Sequence, residues 1–235
     1  MSRSFGIEAT DDRAMLTAIA RSVHKLGYDR LWVNDTPMAD GLESMRSIRE
    51  AEPALKVGIG VLAVDRRSPE SVAGFLHQID AVDRITLGVG AGFSTNPVDS
   101  VADWLDRFRR LAPPVEIAVA AMGPKMCYLA SEYGDVVLLN WMTPERIGWA
   151  LQQMGAGSPA RVAAYIRVAI GPEAESSLAS AASFYASLPH YARHFASMGA
   201  DPQRVGIAAR SGDAVASMLA PYEEMLGETV VRAVP

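Results

Sequence analysis

With 235 residues, about half of them hydrophobic, and a formal net charge of −5, the chain has apolar material for one sizeable core. It lacks the excess of basic residues that contacts to a phosphate backbone need, which sets nucleic-acid binding aside. Cys127 is the only cysteine, so an intramolecular disulfide and a cysteine-based metal site within one chain are excluded, and no apolar run approaches the ~18 residues of a membrane span, so a soluble, untargeted, cytoplasmic protein is expected.

Along the chain, short runs rich in Val, Ile and Leu alternate with longer segments of helical period, the pattern of a parallel sheet with crossover helices. The strand candidates are Phe5–Ala9, Leu31–Asn34, Lys56–Leu62, Ile85–Val89, Glu116–Ala120, Val136–Asn140, Ala163–Ala169 and Thr229–Ala233, eight in all. Between the first two, Met15, Ile19, Val23 and Leu26 recur on one face of a helix that Asp11 would cap and Gly27 would end. Further helices are expected over Leu42–Ala51, Glu70–Ile79, Val101–Leu111, Lys125–Tyr133, Glu145–Met154, a long interrupted Ala174–Met198, and Asp213–Leu226. Pro69 and Pro144 stand where helices begin, a favoured place for proline.

No linker or low-complexity stretch interrupts residues 1–235, so one domain is expected. An open doubly wound sheet would show the same alternation, and the motifs must decide between it and a barrel. The sequence stops at Pro235 directly after the eighth strand, leaving no room for an eighth outer helix. An incompletely covered last strand is therefore expected. A homodimer or higher oligomer would cover it, or else the segment from Gly199 to Gly212 folding back.

In a parallel barrel, function collects in the loops after the strands' C-terminal ends. After the second strand come Asn34 and Asp35, then Thr36-Pro37; Asp35 is the best single acidic candidate for catalysis, with a plain capping role as its alternative. After the fourth comes Gly88-Val89-Gly90-Ala91-Gly92, whose missing side chains would let a ligand lie against backbone, or simply allow a tight bend. After the fifth comes Ala120-Ala121-Met122-Gly123-Pro124-Lys125, small residues leading into a helix N-terminus, a plausible phosphate cradle or an ordinary helix start. Asn140-Trp141 ends the sixth strand with an amide beside a flat aromatic. Arg66-Arg67 after the third strand could meet an anion or lie solvated. His190 and His194 could share a helix face, but no third ligand is evident and no metal site is expected. There is no serine-hydrolase elbow and no Walker sequence.

Several of these stretches, in order, resemble the luciferase-like monooxygenase family, which includes bacterial luciferase, flavin-dependent monooxygenases and deazaflavin-dependent dehydrogenases and reductases. They are Leu26-Gly27-Tyr28-Asp29-Arg30-Leu31-Trp32-Val33; Gly58-Ile59-Gly60-Val61 with Arg67-Ser68-Pro69; Leu87 to Gly92; Ala121-Met122-Gly123-Pro124-Lys125-Met126; and Val137 to Glu145. The resemblance implies a single (β/α)8 TIM barrel of the bacterial-luciferase type, here lacking a full C-terminal helix. It also implies FMN or the 8-hydroxy-5-deazaflavin coenzyme F-420 at the strand C-termini. By carry-over, Gly60 and Val61 would support the ring from below, with a cis peptide or bulge between them. Gly90, Gly92 and Asn96 would line its side; Ala120, Ala121, Gly123 and Pro124 would follow the tail, with Asn140 nearby and Asp35 near ring or substrate. The expected partners are a small organic substrate, a second copy of the chain and a separate cofactor reductase, with no nucleic acid and no membrane.

Two departures stand out. Many members carry Asp-His after the second strand where this chain has Asp35-Thr36, and the family's sugar-phosphate dehydrogenases carry a glutamate where it has Phe93. The leading expectation is a redox enzyme. A flavin-binding barrel without turnover is the second, and an isomerase or aldolase barrel, with Glu8 its best acidic group, the third.

Overall fold

The computed structural model describes residues 2–234. In chain order the elements are β1 (Ser2–Glu8), α1 (Arg13–Lys25), β2 (Arg30–Asn34), α2 (Gly41–Ala51), β3 (Lys56–Ala63), α3 (Pro69–Leu76), β4 (Ile85–Gly90), α4 (Pro97–Leu111), β5 (Glu116–Ala121), α5 (Pro124–Tyr133), β6 (Val136–Asn140), α6 (Pro144–Gln152), β7 (Arg161–Ile170), α7 (Ala174–Ala186), α8 (Pro189–Met198), β8 (Ile207–Ala209), α9 (Gly212–Glu223) and β9 (Glu228–Ala233). Each strand from β1 to β6 pairs in parallel with the next, β6 pairs with β7, β7 with β9, and β9 with β1. The eight strands expected from the apolar runs are the eight staves of this closed barrel. The outer helices cover it with a continuous apolar layer that includes Leu16, Met45, Leu76, Leu105 and Ile147.

Two local expectations need correction and a third is met. The buried stripe of α1 is Leu16, Ala20 and Val23, while Met15 and Leu26 are exposed, and the cap is Asp12, which accepts from the Met15 amide, one residue later than Asp11. The long interrupted helix expected over Ala174–Met198 is present as α7 and α8, divided before Pro189, which cannot donate a backbone hydrogen bond within a helix. The segment from Gly199 to Gly212 contains β8, which pairs with Val168–Ile170 of β7. It does not fold back over the last strand. In β9 itself Glu228, Thr229 and Val230 are buried, Val231 packs half-buried against the core, and of the six only Ala233 is exposed. The bare apolar stripe expected from a missing eighth helix is therefore not found.

The interior follows from strand alternation. At its centre Trp32, Ala118, Leu138, Tyr165 and Val230 form one apolar layer. The Trp32 and Tyr165 rings meet edge to face at 6.2 Å between centroids. Such large rings fit because facing positions are glycine: a Cβ at Gly58 would strike the Trp32 ring, and one at Gly6 the Tyr165 ring. Below this layer lies a closed ionic floor. Glu228 accepts from Ser4 Oγ (2.6 Å), Trp32 Nε1 (2.7 Å), Arg30 (2.6 Å) and Arg161 (3.1 Å). Glu116 accepts from Arg30 (3.1 Å), Arg161 (2.9 Å) and the Thr86 hydroxyl. Two carboxylates thus face two guanidinium groups, and their lone pairs are largely used, the condition under which buried charge is tolerable.

Removing one partner should be costly. Glu228→Leu leaves Arg30 buried beside a single, half-shared glutamate, and we expect a loss of about 3–5 kcal/mol, read from urea unfolding; a loss below about 1 kcal/mol would show that the floor is not needed. Burial, the largest influence on Glu116, pushes its pKa up, but hydrogen bonds from Arg161 and Thr86 and the charges of Arg161 and Arg30 outweigh it and hold the carboxyl below its ordinary range. Its folded pKa lies below its unfolded one, so its contribution is complete above the unfolded value and lost as the pH falls through the folded one. Glu116→Gln should therefore flatten the acid limb of the stability profile.

Candidate functional site

The inward-pointing series on each strand ends, at the C-terminal rim, on Glu8, Asn34, Gly90, Ala120, Asn140, Arg167 and Arg232. One side of this mouth, formed by β3, β4 and β5, is nearly free of side chains. A Cβ built on Gly90 would lie 2.8 Å from Val61 Cγ2 and 3.3 Å from the Ala120 methyl, so these three residues abut. The Gly60-Val61 peptide is cis, as the resemblance implied, and the β3–β4 register shifts there, between Ile59 and Leu62. Gly88 makes room for this irregular segment, because a Cβ there would overlap the Ile59 carbonyl. The glycine run thus accommodates β3 as well as offering bare backbone to a ligand. Gly92 has φ +60°, a conformation that disfavours any other residue, and a side chain there would overlap the Asp65 carboxylate, which instead accepts from the Phe93 amide at 2.8 Å.

Two neighbouring helices begin beside this wall without a side-chain cap. In α4 the N-cap is the exposed Asn96, followed by Pro97; in α5 it is Gly123, followed by Pro124. Asp12, Asp40, Ser68, Thr143 and Ser211 cap α1, α2, α3, α6 and α9, while α7 and α8 also lack a side-chain cap. The first turn of α4 contains Asp99, whereas that of α5 has no acidic residue. A Cβ at Gly123 would meet nothing within 4 Å. Among the sequence candidates, Ala121 to Pro124 therefore offers the free amides, positive helix end and open space that an anion needs.

Two side-chain amides complete the wall chemically. Asn34 Oδ1 and Asn140 Oδ1 are buried without a hydrogen-bond donor among the described residues, and Asn140 Nδ2 donates to Tyr191 Oη at 2.9 Å. A flat platform, two unsatisfied amide oxygens and an anion-ready helix start fit a planar heterocycle with alternating N–H and C=O edges and a phosphate tail.

Asp35 is placed differently from the picture of a free carboxylate at the mouth. Its side chain is fully buried; Oδ1 accepts from the Gly41 amide and from Arg67, and Oδ2 from Arg66, each at 2.9 Å. Arg67 also reaches Asp40 at 3.0 Å. The two arginines lie 31 and 32 residues further along the chain, so nothing near Asp35 in sequence announced them. Glu8 is exposed and pairs with Arg232 at 2.8 Å.

The opposite side of the mouth was not anticipated beyond Trp141. Arg167 lies 4.9 Å from the centroid of the Trp141 ring, 5.3 Å from that of Tyr185 and 5.7 Å from that of Tyr165. Trp141 itself sits at φ +53°, its carbonyl accepting from His194 Nε2 at 2.8 Å. Burial holds the pKa of His194 down, so this imidazole stays neutral. From the start of α8, Tyr191 touches Asn140 of β6 and His190 packs 5.7 Å from Phe93 after β4, so this turn crosses the mouth. The polar Tyr165 and Arg167 inside an apolar run on β7 were the available signal, because their parity matches the inward positions. A surface cleft of about 600 Å3 between α4 and α5 meets the site only at Pro124 and Lys125.

No family model matches the chain. A stretch covering 65% of the chain is 26% identical to the 5,10-methylenetetrahydromethanopterin reductase of Archaeoglobus fulgidus, and the match spans 58% of that protein. Among solved structures, a coenzyme F-420-dependent secondary alcohol dehydrogenase superposes with a TM-score of 0.78 at 14% identity, covering 99% of this chain and 93% of the other. The coenzyme F-420-dependent tetrahydromethanopterin reductase of Methanopyrus kandleri gives 0.75 at 14% identity, covering 98% and 92%. The FMN-bound oxygenating constituent of 3,6-diketocamphane monooxygenase from Pseudomonas putida gives 0.67 at 14% identity, covering 100% and 92%. The resemblance seen in the sequence thus holds in three dimensions: the chain has the luciferase-like barrel fold, shared with deazaflavin-dependent reductases and FMN-binding monooxygenases.

Asp35→Asn would keep the Gly41 hydrogen bond but strip the charge that Arg66 and Arg67 share. We expect a stability loss of about 3 kcal/mol, measured by chemical unfolding, with retention of the fold by circular dichroism. Wild-type stability in this variant would show that the buried ion pairs contribute little.

Proposed function

We propose that this chain is a flavin- or deazaflavin-dependent oxidoreductase acting on a small organic substrate, with FMN or coenzyme F-420 as its cofactor. The observation that supports this best is the continuity of the bare wall Val61-Gly90-Ala120 with the uncapped, acid-free start of α5, inside a luciferase-like barrel. On this reading Gly60, Val61, Gly90 and Ala120 support the ring, Asn34 and Asn140 bond its polar edge, and Ala121, Gly123 and Pro124 receive the phosphate. Gly92 and Asn96 shape the adjoining loop. Such a cofactor supplies the hydride or oxygen chemistry, while the protein supplies orientation, electrostatics and exclusion of water.

Asp35 takes the role of a positioning residue. With both carboxylate oxygens engaged, it holds Arg66 and Arg67 at the rim rather than moving a proton itself. Thr36 and Phe93 stand where relatives of the family carry an imidazole and a carboxylate, which favours a second reading, a barrel that binds the cofactor without turnover. The His190 ring beside Phe93 supplies an imidazole from another element, and its pKa is lowered by burial and then by Arg193, leaving it neutral near pH 7 and able to act as a base.

Titration of the purified protein with each cofactor, followed by its fluorescence, tests the proposal. One of the two should bind saturably, and Gly123→Asp, which adds bulk and negative charge at the start of α5, should weaken that binding at least about tenfold, or ~1.4 kcal/mol. Failure of both cofactors to bind would overturn the proposal. Unchanged affinity in the variant would remove the α5 loop from the site, and cofactor oxidation on addition of substrate would separate enzyme from carrier.

A further inference from the structure

Arg167 is only 4% exposed, yet among the described residues it forms no ion pair with a carboxylate. Its Nη2 donates to Tyr185 Oη at 3.3 Å, and its Nη1 has no partner among the described residues. The aromatic faces of Trp141, Tyr165 and Tyr185 give partial compensation for the buried charge. Directly opposite on β9 is Arg232, paired in register with Arg167. Like charges placed so are unfavourable, and among the described residues only Glu8, bound to Arg232, offsets them. Burial first, and then the charge of Arg167, lowers the pKa of Arg232. Among the described residues the rim of β7 and β9 therefore carries an excess positive charge.

Two of the rings around Arg167 also present unmet polar atoms: Trp141 Nε1 and Tyr165 Oη are buried without partners. The tryptophan N–H can only donate and the phenol can donate, so together with Arg167 Nη1 this corner holds three unmet donors, against one unmet acceptor among the described residues beside it, Asn140 Oδ1, next to Trp141 in sequence and in register with Tyr165. Burial raises the pKa of Tyr165 well above its ordinary value, so it keeps its proton. Trp141 is held here in a left-handed backbone conformation, by His194 on its carbonyl, which a tryptophan adopts only where its surroundings impose it. A Cβ on Gly60 would run into Tyr165 Oη, so the corner adjoins the bare wall described above.

We propose that Arg167, with Trp141 and Tyr165, is the recognition site for a carboxylate on the substrate, and that the substrate is a small organic acid with a flat or apolar body. The inference rests on the oxidoreductase reading for the role of the bound acid, but not for the binding itself. A carboxylate has acceptor oxygens for Nη1 and for the ring donors, and it would take the place of the Tyr185 hydroxyl, the longest of three polar contacts that tie α7 and α8 to this corner; the others are Asn140 to Tyr191 at 2.9 Å and His194 to the Trp141 carbonyl at 2.8 Å. The surrounding rings of Trp141, Tyr185 and Tyr191 would pack on the acid's body.

Calorimetric titration of the intact protein with sodium benzoate, and with neutral benzamide as its near-isostere, tests this without any cofactor. Benzoate should bind saturably and at least about tenfold more tightly than benzamide, with a change in tryptophan fluorescence. Arg167→Met should abolish that preference, and Arg167→Lys, which keeps the charge but not the planar fork, should fall between. Equal binding of the two probes to the wild-type protein, or no saturable benzoate binding, overturns the proposal even if the arginine variants fail to fold. So does undiminished benzoate binding in a folded Arg167→Met protein. Cofactor binding without benzoate binding would overturn this inference alone; benzoate selectivity without cofactor binding would support it while removing the oxidoreductase reading.

Discussion

Two glutamates, Glu116 and Glu228, share two arginines, Arg30 and Arg161, inside a ring of eight strands, and the barrel is built up from that neutral floor. Charge can be buried there because each carboxylate also receives uncharged donors, Thr86 in one case and Ser4 and Trp32 in the other. The Trp32 bond has a second effect. It fixes the largest ring in the barrel from below, and Tyr165 then packs against it and fills the remaining width between Gly6 and Gly60. With the lower layers closed in this way, what happens at the mouth is decided by the last inward residue of each strand.

Those last residues divide the mouth into two unlike halves. From β3 to β5 they are Gly60, Val61, Gly90 and Ala120, a platform with almost no side chains and no charge. From β6 through β9 to β1 they are Asn140, Arg167, Arg232 and Glu8, polar and cationic in sum. The floor balances its charges and this half of the rim does not. A planar cofactor suits the first half and an anionic substrate the second, with Tyr165 Oη and Gly60 in contact at the border between them.

The fold was legible because a closed parallel barrel repeats one strong signal: a buried strand is a short unbroken apolar run, and each was found within a few residues of its true ends. What escaped was set by contacts distant in sequence. The α1 stripe was displaced by one position because Met15 and Leu26 are as apolar as Leu16 and Ala20, and only packing on the barrel chooses between them. β8 is three residues long and exists because β7 extends past β6. The coverage of β9 depends on how its neighbours wrap it, which the count of helices does not reveal. At the site, the glycine and small-residue positions could be marked because their composition is itself the feature, whereas Asp35 looked free until Arg66 and Arg67 closed on it. Glu116, Glu228 and Arg167 were single charged residues in or beside apolar runs, and their meaning lies in alternation: each falls on the inward parity of its strand.

We propose that the bare wall and the start of α5 together hold one flavin-like cofactor. A crystal structure of the protein soaked with the cofactor that binds in solution tests it most directly. The ring is expected against Val61, Gly90 and Ala120, its polar edge near Asn34 or Asn140, and its phosphate on the amides that follow Gly123. Density for the ring in the cleft between α4 and α5, or a phosphate remote from Gly123, would contradict it.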